Sequence, residues 1–395
     1  MSIAQKSVRF ILCLQIFLGL IFSTSFSKAF NIGEEFNYSI HAMVLLNLMI
    51  HLRYFFEIRM AILILIFTFI SSFVNGFAGL KLGMVLNFLT FSAVELALVA
   101  DTFKNNKLFF KLYYLSAGIL LFSSIFLIMI GVNTQPFSGM YMAVKVAGIP
   151  VQIWGLFSDK NVFGFSLMTF FLITVLLPDF HHKKKVVIIS FIFIILSGNR
   201  SGLLTTCIVL IFLFMLNPNF NIGRKISVAI QASVLLAIIV FAYMNSPLNT
   251  RGVESNDREV LYAIAYEFIR NNFWFGIGRA LIVDGEMVHT HNLYIQVLAE
   301  EGFLCLLIYI FLFLKVLIKG GYSTKVLCLS VFIFTGFNPM LVPGQLFTVT
   351  ALVLLGRYVD ELRAVEKITQ SSSANPKPGI LDVINLDTSV RTQLS

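Results

Sequence analysis

The sequence predicts an all-α, polytopic integral membrane protein with about 12 transmembrane helices and one long loop that carries short helices. Of its 395 residues, 58% are hydrophobic and only 12% are charged. A soluble domain has roughly 45–50% apolar and about 25% charged residues. The mean hydropathy is +0.87. The 42 Phe and 13 Met against 9 Pro also exclude a disordered or fibrous chain.

Apolar runs divide the chain into predicted spans that are separated by short loops. These runs lie at residues 8–27, 38–50, 60–80, 84–100, 112–131, 161–178, 186–198, 202–216, 226–244, 303–318, 326–338 and 345–359. We therefore interpret residues 1–359 as a transmembrane domain, which contains the long loop 245–302. Residues 360–395 form a polar tail that we expect to be cytoplasmic and disordered.

The basic residues predict the orientation of the chain. If the spans alternate across the membrane, 20 of the 29 Lys and Arg residues share the side that holds both termini. Cytoplasmic loops carry an excess of Lys and Arg, so that side is predicted to be cytoplasmic and loop 245–302 extracytoplasmic. The net charge of +9 is then an orientation signal, and we expect no nucleic-acid partner.

Residues 186–216 decide this orientation, because they are short for two spans. If they formed a single span, every later span would have the opposite orientation in the membrane, and loop 245–302 would be cytoplasmic. However, residues 197–202 read SGNRSG, which is turn chemistry. An arginine at the centre of a single span would also cost several kcal/mol. We predict a helical hairpin whose tip, with Arg200, lies below the membrane surface and faces a wet cavity.

The first half of loop 245–302 predicts a helix. Asn256 and Glu259 have the spacing of a capping box, and the helical pattern continues to about Arg270. Arg258 lies in the first turn of this helix. Tyr262 lies one turn further along the same face.

The second half of the loop collects polar residues before another helix. A glycine turn at 276–278 is followed by Asp-Gly-Glu at 284–286 and His-Thr-His-Asn at 289–292. Apolar residues at helical spacing then predict a helix that begins after Asn292. Free N–H groups and the dipole at its start favour an anion beside His291 and Asn292.

These polar residues also have structural interpretations. Arg200 can bond to carbonyl groups of the hairpin, and Arg258 can be a solvated charge paired with Asp257 or Glu254. Glu95, inside a predicted span, is either a packed carboxyl group bonded to a neighbour or part of a polar path. Its position near the cytoplasmic end favours packing.

A metal site is a further alternative in the loop. His289 and His291 can bind a divalent cation together with Asp284 and Glu286, but no third ligand is fixed by spacing. The sequence has no phosphate loop, no nucleophile elbow and no zinc pattern. We expect neither a metal nor a cofactor.

Three segments resemble the O-antigen ligase and O-antigen polymerase superfamily, which are multispanning glycosyltransferases of bacterial envelopes. Residues 155–161, GLFSDKN, resemble the G-x-F-x-x-x-N segment before a central span. Residues 197–204, SGNRSGLL, resemble the S-x-x-R-x-x-L-L hairpin. Loop 245–302 resembles the long periplasmic loop of the family. The order of the segments agrees over roughly residues 150–305.

The resemblance implies that a glycan is transferred from undecaprenyl diphosphate to a hydroxyl acceptor at the periplasmic face of the bacterial inner membrane. The transfer is inverting and needs no metal. The leaving diphosphate needs cationic groups, which we assign to Arg200 and Arg258. We assign His291 as the base or as a phosphate contact. The supporting substrate-binding residues are Arg251, His289, Asn292, Asn161 and Tyr262.

Polymerase and ligase share this machinery, and the sequence favours polymerase. The ligase pattern H-N-x9-G is met by His291, Asn292 and Gly302, but the G-x-x-G-T-T continuation is absent. The polymerase pattern R-x15-G is not met either, since 17 residues separate Arg258 from Gly276. Because neither pattern is fully met, an O-antigen ligase, which transfers the glycan to lipid A-core, is the alternative function.

A transporter is the third hypothesis, namely a flippase for lipid-linked oligosaccharides. Transporters place polar groups in the middle of their spans, whereas here the polar groups gather in one outer loop. The enzyme hypothesis implies the lipid bilayer and the undecaprenyl-diphosphate-linked oligosaccharide as partners. It also implies contacts with a chain-length regulator and a flippase of the same pathway.

Overall fold

The structure is a computed structural model. It describes residues 58–75, 88, 91–92, 94–95, 97–98, 107–129, 144–146, 149–151, 160–197, 199–216, 221–223, 226–227, 230–231, 234, 258–278, 281–283, 286–287, 290, 292–337 and 346–374.

The described part of the chain is predominantly helical, as predicted. The helices are α1 (Arg59–Val74), α2 (Lys107–Met129), α3 (Lys160–Leu176), α4 (Lys183–Leu196), α5 (Arg200–Leu216), α6 (Arg258–Asn271), α7 (Leu293–Glu300), α8 (Phe303–Lys319), α9 (Tyr322–Thr335) and α10 (Leu346–Ala374). Two antiparallel strand pairs depart from the all-α prediction. They are β1 (Val144–Val146) with β2 (Ile149–Val151), and β3 (Ile282–Val283) with β4 (Glu286–Met287).

Each described helix outside loop 245–302 overlaps a predicted span. Within the described residues, however, no helix combines the length and the apolar character that crossing a membrane requires. The predicted spans 8–27 and 38–50 lie outside the described residues. The number of spanning helices therefore stays a prediction.

Helix α3 lies at the centre of the described helices. It packs against α2, α4, α5, α9 and α10. Its side chains from Phe163 to Ile173 are buried, apart from the half-buried Ser166. A helix that is apolar all round is stable only when neighbours cover every face, and α3 has that character.

The helix break predicted at residues 197–202 is confirmed, but it is shorter than predicted, because Gly202 lies within α5. Helix α4 ends at Leu196 and α5 begins at Arg200. The Ser197 hydroxyl donates to the Ile194 carbonyl, 2.7 Å away, so the last turn of α4 is closed by a side chain. Residues 186–216 therefore form two helices and not one.

Polar contacts join the start of α1, the end of α8 and the start of α9, and we call this group of helix ends the basic end. The buried Glu95 accepts hydrogen bonds from the backbone N–H groups of Met60 and Ala61, at 3.3 and 3.0 Å, and forms an ion pair with Lys315. These contacts join the start of α1 to the end of α8. The prediction that Glu95 is a packed carboxyl group is confirmed.

The start of α9 belongs to the same end. The Asp360 carboxylate of α10 accepts the N–H groups of Ser323 and Thr324, at 2.6 and 3.3 Å. The Arg363 guanidinium lies 4.8 Å from the centroid of the Tyr322 ring. A carboxylate at a helix N-terminus satisfies N–H groups that have no partner within the helix.

These contacts overturn part of the prediction for the tail. Helix α10 continues through Ala374, so disorder from residue 360 is wrong for residues 360–374. The physical reason is that Asp360 caps α9 and Leu362 packs against the core. Residues 375–395 lie outside the described part of the chain.

Candidate functional site at one end of the helices

The opposite ends of the helices collect the segments in which the sequence predicts a site, and we call this group the site end. It contains the starts of α3, α5, α7 and α8 and the ends of α1 and α9. The residues that follow show how each segment reaches this end.

The turn before α5 is held against the first turns of α3. Asn199 is buried, and its Oδ1 accepts the Gly202 N–H at 2.7 Å. Gly164 of α3 packs directly on this side chain, since a Cβ atom at Gly164 would lie 2.5 Å from Asn199 Nδ2. Asn161, a predicted site residue, lies one turn before Gly164 in α3.

Arg200 is the first residue of α5, and its side chain is exposed. The partial positive charge of a helix N-terminus adds to the charge of the guanidinium group. Because Asn199 fixes the turn, the backbone of Arg200 has a defined position. The sequence predicted the turn, and the prediction that Arg200 faces a wet cavity below the membrane surface stays a prediction.

The glycine turn after α6 packs on the junction between α7 and α8. Gly276 and Gly278 have φ of +62° and +63°, a conformation that side chains disfavour. Ile277 N–H donates to the Ala299 carbonyl at 3.0 Å, and Gly278 N–H donates to the Glu300 carbonyl at 2.9 Å. The sequence predicted the turn but not this pairing.

Gly302 completes the junction. Its φ is +88°, and a Cβ atom at this position would collide with the Trp274 carbonyl oxygen. The next residue, Phe303, donates its N–H to the Phe273 carbonyl at 2.8 Å. Gly302 is therefore required where the turn and the start of α8 touch.

The end of α1 contacts the same turn. Ser71 Oγ donates to the Phe275 carbonyl. Asn75 Nδ2 donates to the Gly276 carbonyl at 3.1 Å. These two bonds attach the loop to a helix about 200 residues earlier, and no local sequence signal reports them.

Asn292 caps α7. Its Oδ1 accepts the N–H groups of Tyr294 and Ile295, at 2.9 and 3.2 Å. Its Nδ2 donates to the Gly336 carbonyl at the end of α9, 2.8 Å away. The prediction that these N–H groups are open to an anion is therefore wrong, because the Asn292 side chain occupies two of them.

Tyr294 is a second link between α7 and α9 that sequence reasoning missed. Its hydroxyl group donates to the Phe332 carbonyl and lies 3.2 Å from Thr335 Oγ1. Burial raises the pKa of the Tyr294 phenol above its ordinary value. The group is therefore a neutral donor across the physiological pH range.

Two side chains of α7 hold the segment that leads to the predicted histidines. Leu281 N–H donates to Glu300 Oε1 at 2.8 Å, and Gln296 Nε2 donates to the same oxygen at 3.1 Å. Thr290 N–H donates to Gln296 Oε1 at 3.3 Å. Thr290, which lies between His289 and His291, is itself buried. Both ends of residues 281–290 are thus attached to α7.

A path of contacts joins the turn before α5 to the start of α7. Asn199 contacts Gly164 in α3. The next residue, Phe165, has its ring centroid 4.9 Å from that of Phe334 in α9. Two residues further along, Gly336 accepts the hydrogen bond from Asn292. The two motif regions therefore lie at the same end of the helices, with α3 and α9 between them.

The structure describes some of the predicted site residues and not others. Arg258 begins α6, and the half-buried Tyr262 lies one turn later. Helix α6 packs on α7 through a small apolar cluster that contains Ala265 and Ala299. The remaining predicted residues, Arg251, His289 and His291, lie outside the described residues.

The metal alternative is untested for the same reason. Among the described residues, no group of three His, Cys, Asp or Glu side chains is arranged to hold a metal ion. Three of the four proposed ligands, Asp284, His289 and His291, lie outside that part of the chain.

Residues 186–310 match the family model of the O-antigen ligase. The match begins in α4 and ends in α8, so it contains both the turn at 197–202 and loop 245–302. A search of curated proteins finds no match to the chain. The resemblance to the O-antigen ligase and polymerase superfamily is confirmed for residues 186–310.

Proposed function

We propose that this protein is a glycosyltransferase of the bacterial inner membrane that moves a glycan from undecaprenyl diphosphate to a hydroxyl acceptor. The observation that carries the proposal is the contact path between the two matched motif regions. The family match spans the turn at 197–202 and loop 245–302. The path through α3 and α9 brings these two regions to one end of the helices.

The chemistry assigned to the site needs positive charge and a base. The acceptor oxygen forms a bond to the anomeric carbon of the glycan, and the bond from that carbon to the diphosphate oxygen breaks. Arg200 and Arg258 stabilise the negative charge that develops on the leaving diphosphate. His291 takes the proton of the acceptor hydroxyl. Attack from the face opposite the leaving group inverts the anomeric carbon.

The other assigned residues orient the substrates. Asn161 and Tyr262 contact the glycan from α3 and α6, while Arg251 and His289 add to the phosphate site. Asn292 acts through the chain, because its cap and its bond to Gly336 position the adjacent His291. No metal ion takes part in this scheme.

The outer surface of the described helices supports a location in a lipid bilayer. Large apolar side chains are exposed along several helices, and lipid covers such surfaces in membrane proteins. They include Leu63, Ile66, Phe69 and Phe73 of α1, Leu115, Ile119 and Phe126 of α2, Ile188, Ile192 and Ile195 of α4, and Phe311, Leu314 and Ile318 of α8.

The charges at the two ends support the orientation. The described basic residues of helices at or near the basic end are Arg59, Lys107, Lys111, Lys183, Lys184, Lys185, Lys315, Lys319, Lys325, Arg357, Arg363 and Lys367. At or near the site end they are Lys160, Arg200, Arg258 and Arg270. By the positive-inside rule, the basic end faces the cytoplasm and the site end faces the periplasm.

We favour polymerisation of O-antigen repeat units, with a flippase that delivers the donor and a chain-length regulator as partners. Ligation to lipid A-core is the second candidate, because the matched family model is described as an O-antigen ligase. His291, Asn292 and Gly302 also meet the H-N-x9-G pattern. The match lends no support to a flippase.

The lipopolysaccharide of a deletion strain tests the proposal. Loss of the polymerase leaves core with a single repeat unit on a gel. Loss of the ligase leaves bare core, while lipid-linked polymer accumulates. An unchanged ladder in a strain whose deletion has been verified by sequencing would contradict both functions.

A further inference from the structure

We propose that three aromatic side chains at the site end, Phe273, Trp274 and Phe303, form a membrane anchor that holds loop 245–302 at the headgroup region of the bilayer. We call these residues the aromatic patch. The proposal rests on the membrane location proposed above, and it adds a lipid-binding role to a loop that was assigned only catalytic and substrate-binding residues.

Two of the three side chains of the aromatic patch are exposed although they are large and apolar. Phe273 is 40% exposed and Trp274 is 57% exposed. The ring of Phe303 stacks on Phe273 with centroids 5.0 Å apart, and the Trp274 ring meets Phe303 edge-on at 5.8 Å. The three aromatic rings thus form one continuous surface, of which Phe273 and Trp274 are the exposed part and Phe303 is half-buried. Such a surface on a folded protein marks a binding site for an apolar partner.

The aromatic patch has a fixed position along the axis of α8. Phe303 is the first residue of α8, and its N–H donates to the Phe273 carbonyl. Gly302 allows this close approach through its positive φ. The patch therefore cannot move along the axis of α8 without breaking backbone hydrogen bonds. If α8 spans the bilayer, the patch lies where that span begins.

Lipid is the partner that fits this position. The exposed side of α8 continues from the patch with Phe311, Leu314 and Ile318, all of them apolar. Trp is enriched at the boundary between headgroups and acyl chains, because its ring combines an apolar body with an N–H group. The two Phe rings beside Trp274 extend the apolar side of the patch. The patch is thus the aromatic end of a longer apolar surface. Continuity with that surface favours phospholipid over a second copy of the chain.

This anchor would set the depth of the predicted site in the bilayer. The glycine turn that follows Trp274 carries the backbone bonds to Ala299 and Glu300 of α7. Helix α7 in turn holds residues 281–290 through Gln296 and Glu300. The aromatic patch therefore connects the depth of the loop in the bilayer to the position of the predicted histidines. A donor with a lipid diphosphate presents its reacting bond at that same depth.

Fluorescence quenching in vesicles tests the anchor, because the chain has only two tryptophans. The Trp154→Phe variant leaves Trp274 as the single reporter in the full-length protein. We would reconstitute it in vesicles of phosphatidylcholine and phosphatidylglycerol that carry a spin label either near the headgroup or at the chain end. The expected result is a larger loss of emission with the headgroup label than with the chain-end label, and little loss with aqueous iodide. Strong quenching by iodide without quenching by either lipid label would overturn the anchor.

A control reporter separates failure of the anchor from failure of the membrane location. In the Trp154→Phe/Trp274→Phe background, the Phe311→Trp substitution adds a tryptophan on the exposed side of α8. Quenching of this reporter by the chain-end label, with no lipid quenching of Trp274, would refute the anchor alone. If neither reporter responds to lipid, the membrane location fails and the anchor fails with it. Protection of Trp274 from all quenchers that is lost on dilution would instead indicate a second copy of the chain and would also refute the anchor.

Discussion

At the scale of single residues, Arg200 gives the sharpest test of the proposed chemistry. It begins α5 with an exposed side chain next to the buried Asn199. We expect Arg200→Ala to lower the rate of glycan transfer by about 10²–10³-fold, the usual cost of removing one group that stabilises a developing negative charge. The measurement is turnover of purified protein with a lipid-diphosphate donor, with O-antigen length in cells as a second readout.

The matched control for this prediction is Arg270→Ala. Arg270 is also an exposed arginine on a helix, but it lies in the last turn of α6, away from the start of that helix. Arg200→Lys keeps the charge but not the planar pair of donors, so its activity should lie between Ala and wild type. Equal loss in the Arg200→Ala and Arg270→Ala variants would indicate a general charge effect and contradict the assignment.

Asn292 gives a prediction about stability. Asn292→Ala removes the cap of α7 and the bond to Gly336, so we expect the free energy of unfolding to fall by about 2 kcal/mol, the sum of an N-cap and a hydrogen bond. Asn292→Ser keeps a capping oxygen but loses the donor to Gly336. It should recover about half of the loss. Thermal unfolding of the solubilised protein measures both, and identical stability of wild type and Asn292→Ala would contradict the role.

These residues show what local sequence can predict. The helix start after Asn292 and the turn at residues 197–202 follow from patterns within a few residues, and both were predicted. The cap that Asn292 forms was not predicted, because the N–H groups at the start of α7 were expected to be free for an anion. The partner of Asn292, Gly336, lies 44 residues away, and no pattern within α7 indicates it. The same is true of Tyr294, whose hydroxyl group reaches Phe332 in α9. The position of the helix start was predictable, whereas the contacts that orient α7 on its neighbours were not.

At the scale of elements, the junction of the glycine turn with α8 controls how the loop is built. We expect Gly302→Ala to destabilise the protein by at least about 1–2 kcal/mol, the cost of the left-handed conformation for a residue with a Cβ atom. The collision with the Trp274 carbonyl adds to this cost. The measurement is the midpoint of thermal unfolding, together with protease cleavage within loop 245–302.

Gly118 in α2 provides the control. A Cβ atom there would lie 3.6 Å from Phe170 Cε2, which is ordinary contact. Gly118→Ala should be neutral or stabilising, since alanine favours a helix over glycine by up to about 1 kcal/mol. If the two substitutions have the same effect, the special geometry of Gly302 does not matter for folding.

Helix α10 shows why element boundaries were harder to predict than element positions. Apolar composition ends near residue 359, and the sequence therefore predicted a disordered tail. The helix continues because Asp360 and Arg363 contact the start of α9. Polar residues that pair with a distant helix end do not differ in composition from polar residues of a free tail. Hydrophobic patterns thus located the helices, while long-range polar contacts determined where this one ended.

At the scale of the whole molecule, the two ends have separate roles, and the Glu95–Lys315 pair tests this separation. The pair is buried at the basic end, and Glu95 also accepts two N–H groups at the start of α1. Of the described site residues, Asn161, Arg200 and Asn292 lie at the opposite end. We therefore expect changes to this pair to affect stability and not the activity of the folded protein.

Removing one member of the pair leaves a charge without its partner. We expect Lys315→Met to lower the free energy of unfolding by about 3–5 kcal/mol, the usual cost of breaking a buried ion pair. The double variant Glu95→Gln/Lys315→Met should lose less than the sum of the single variants, because no charge is then left uncompensated. Denaturation of the four proteins in detergent measures this coupling, and turnover per folded molecule should stay at the wild-type level in each. Loss of turnover without loss of stability would show that the basic end takes part in catalysis, and additive effects of the two substitutions would show that the charges do not stabilise each other.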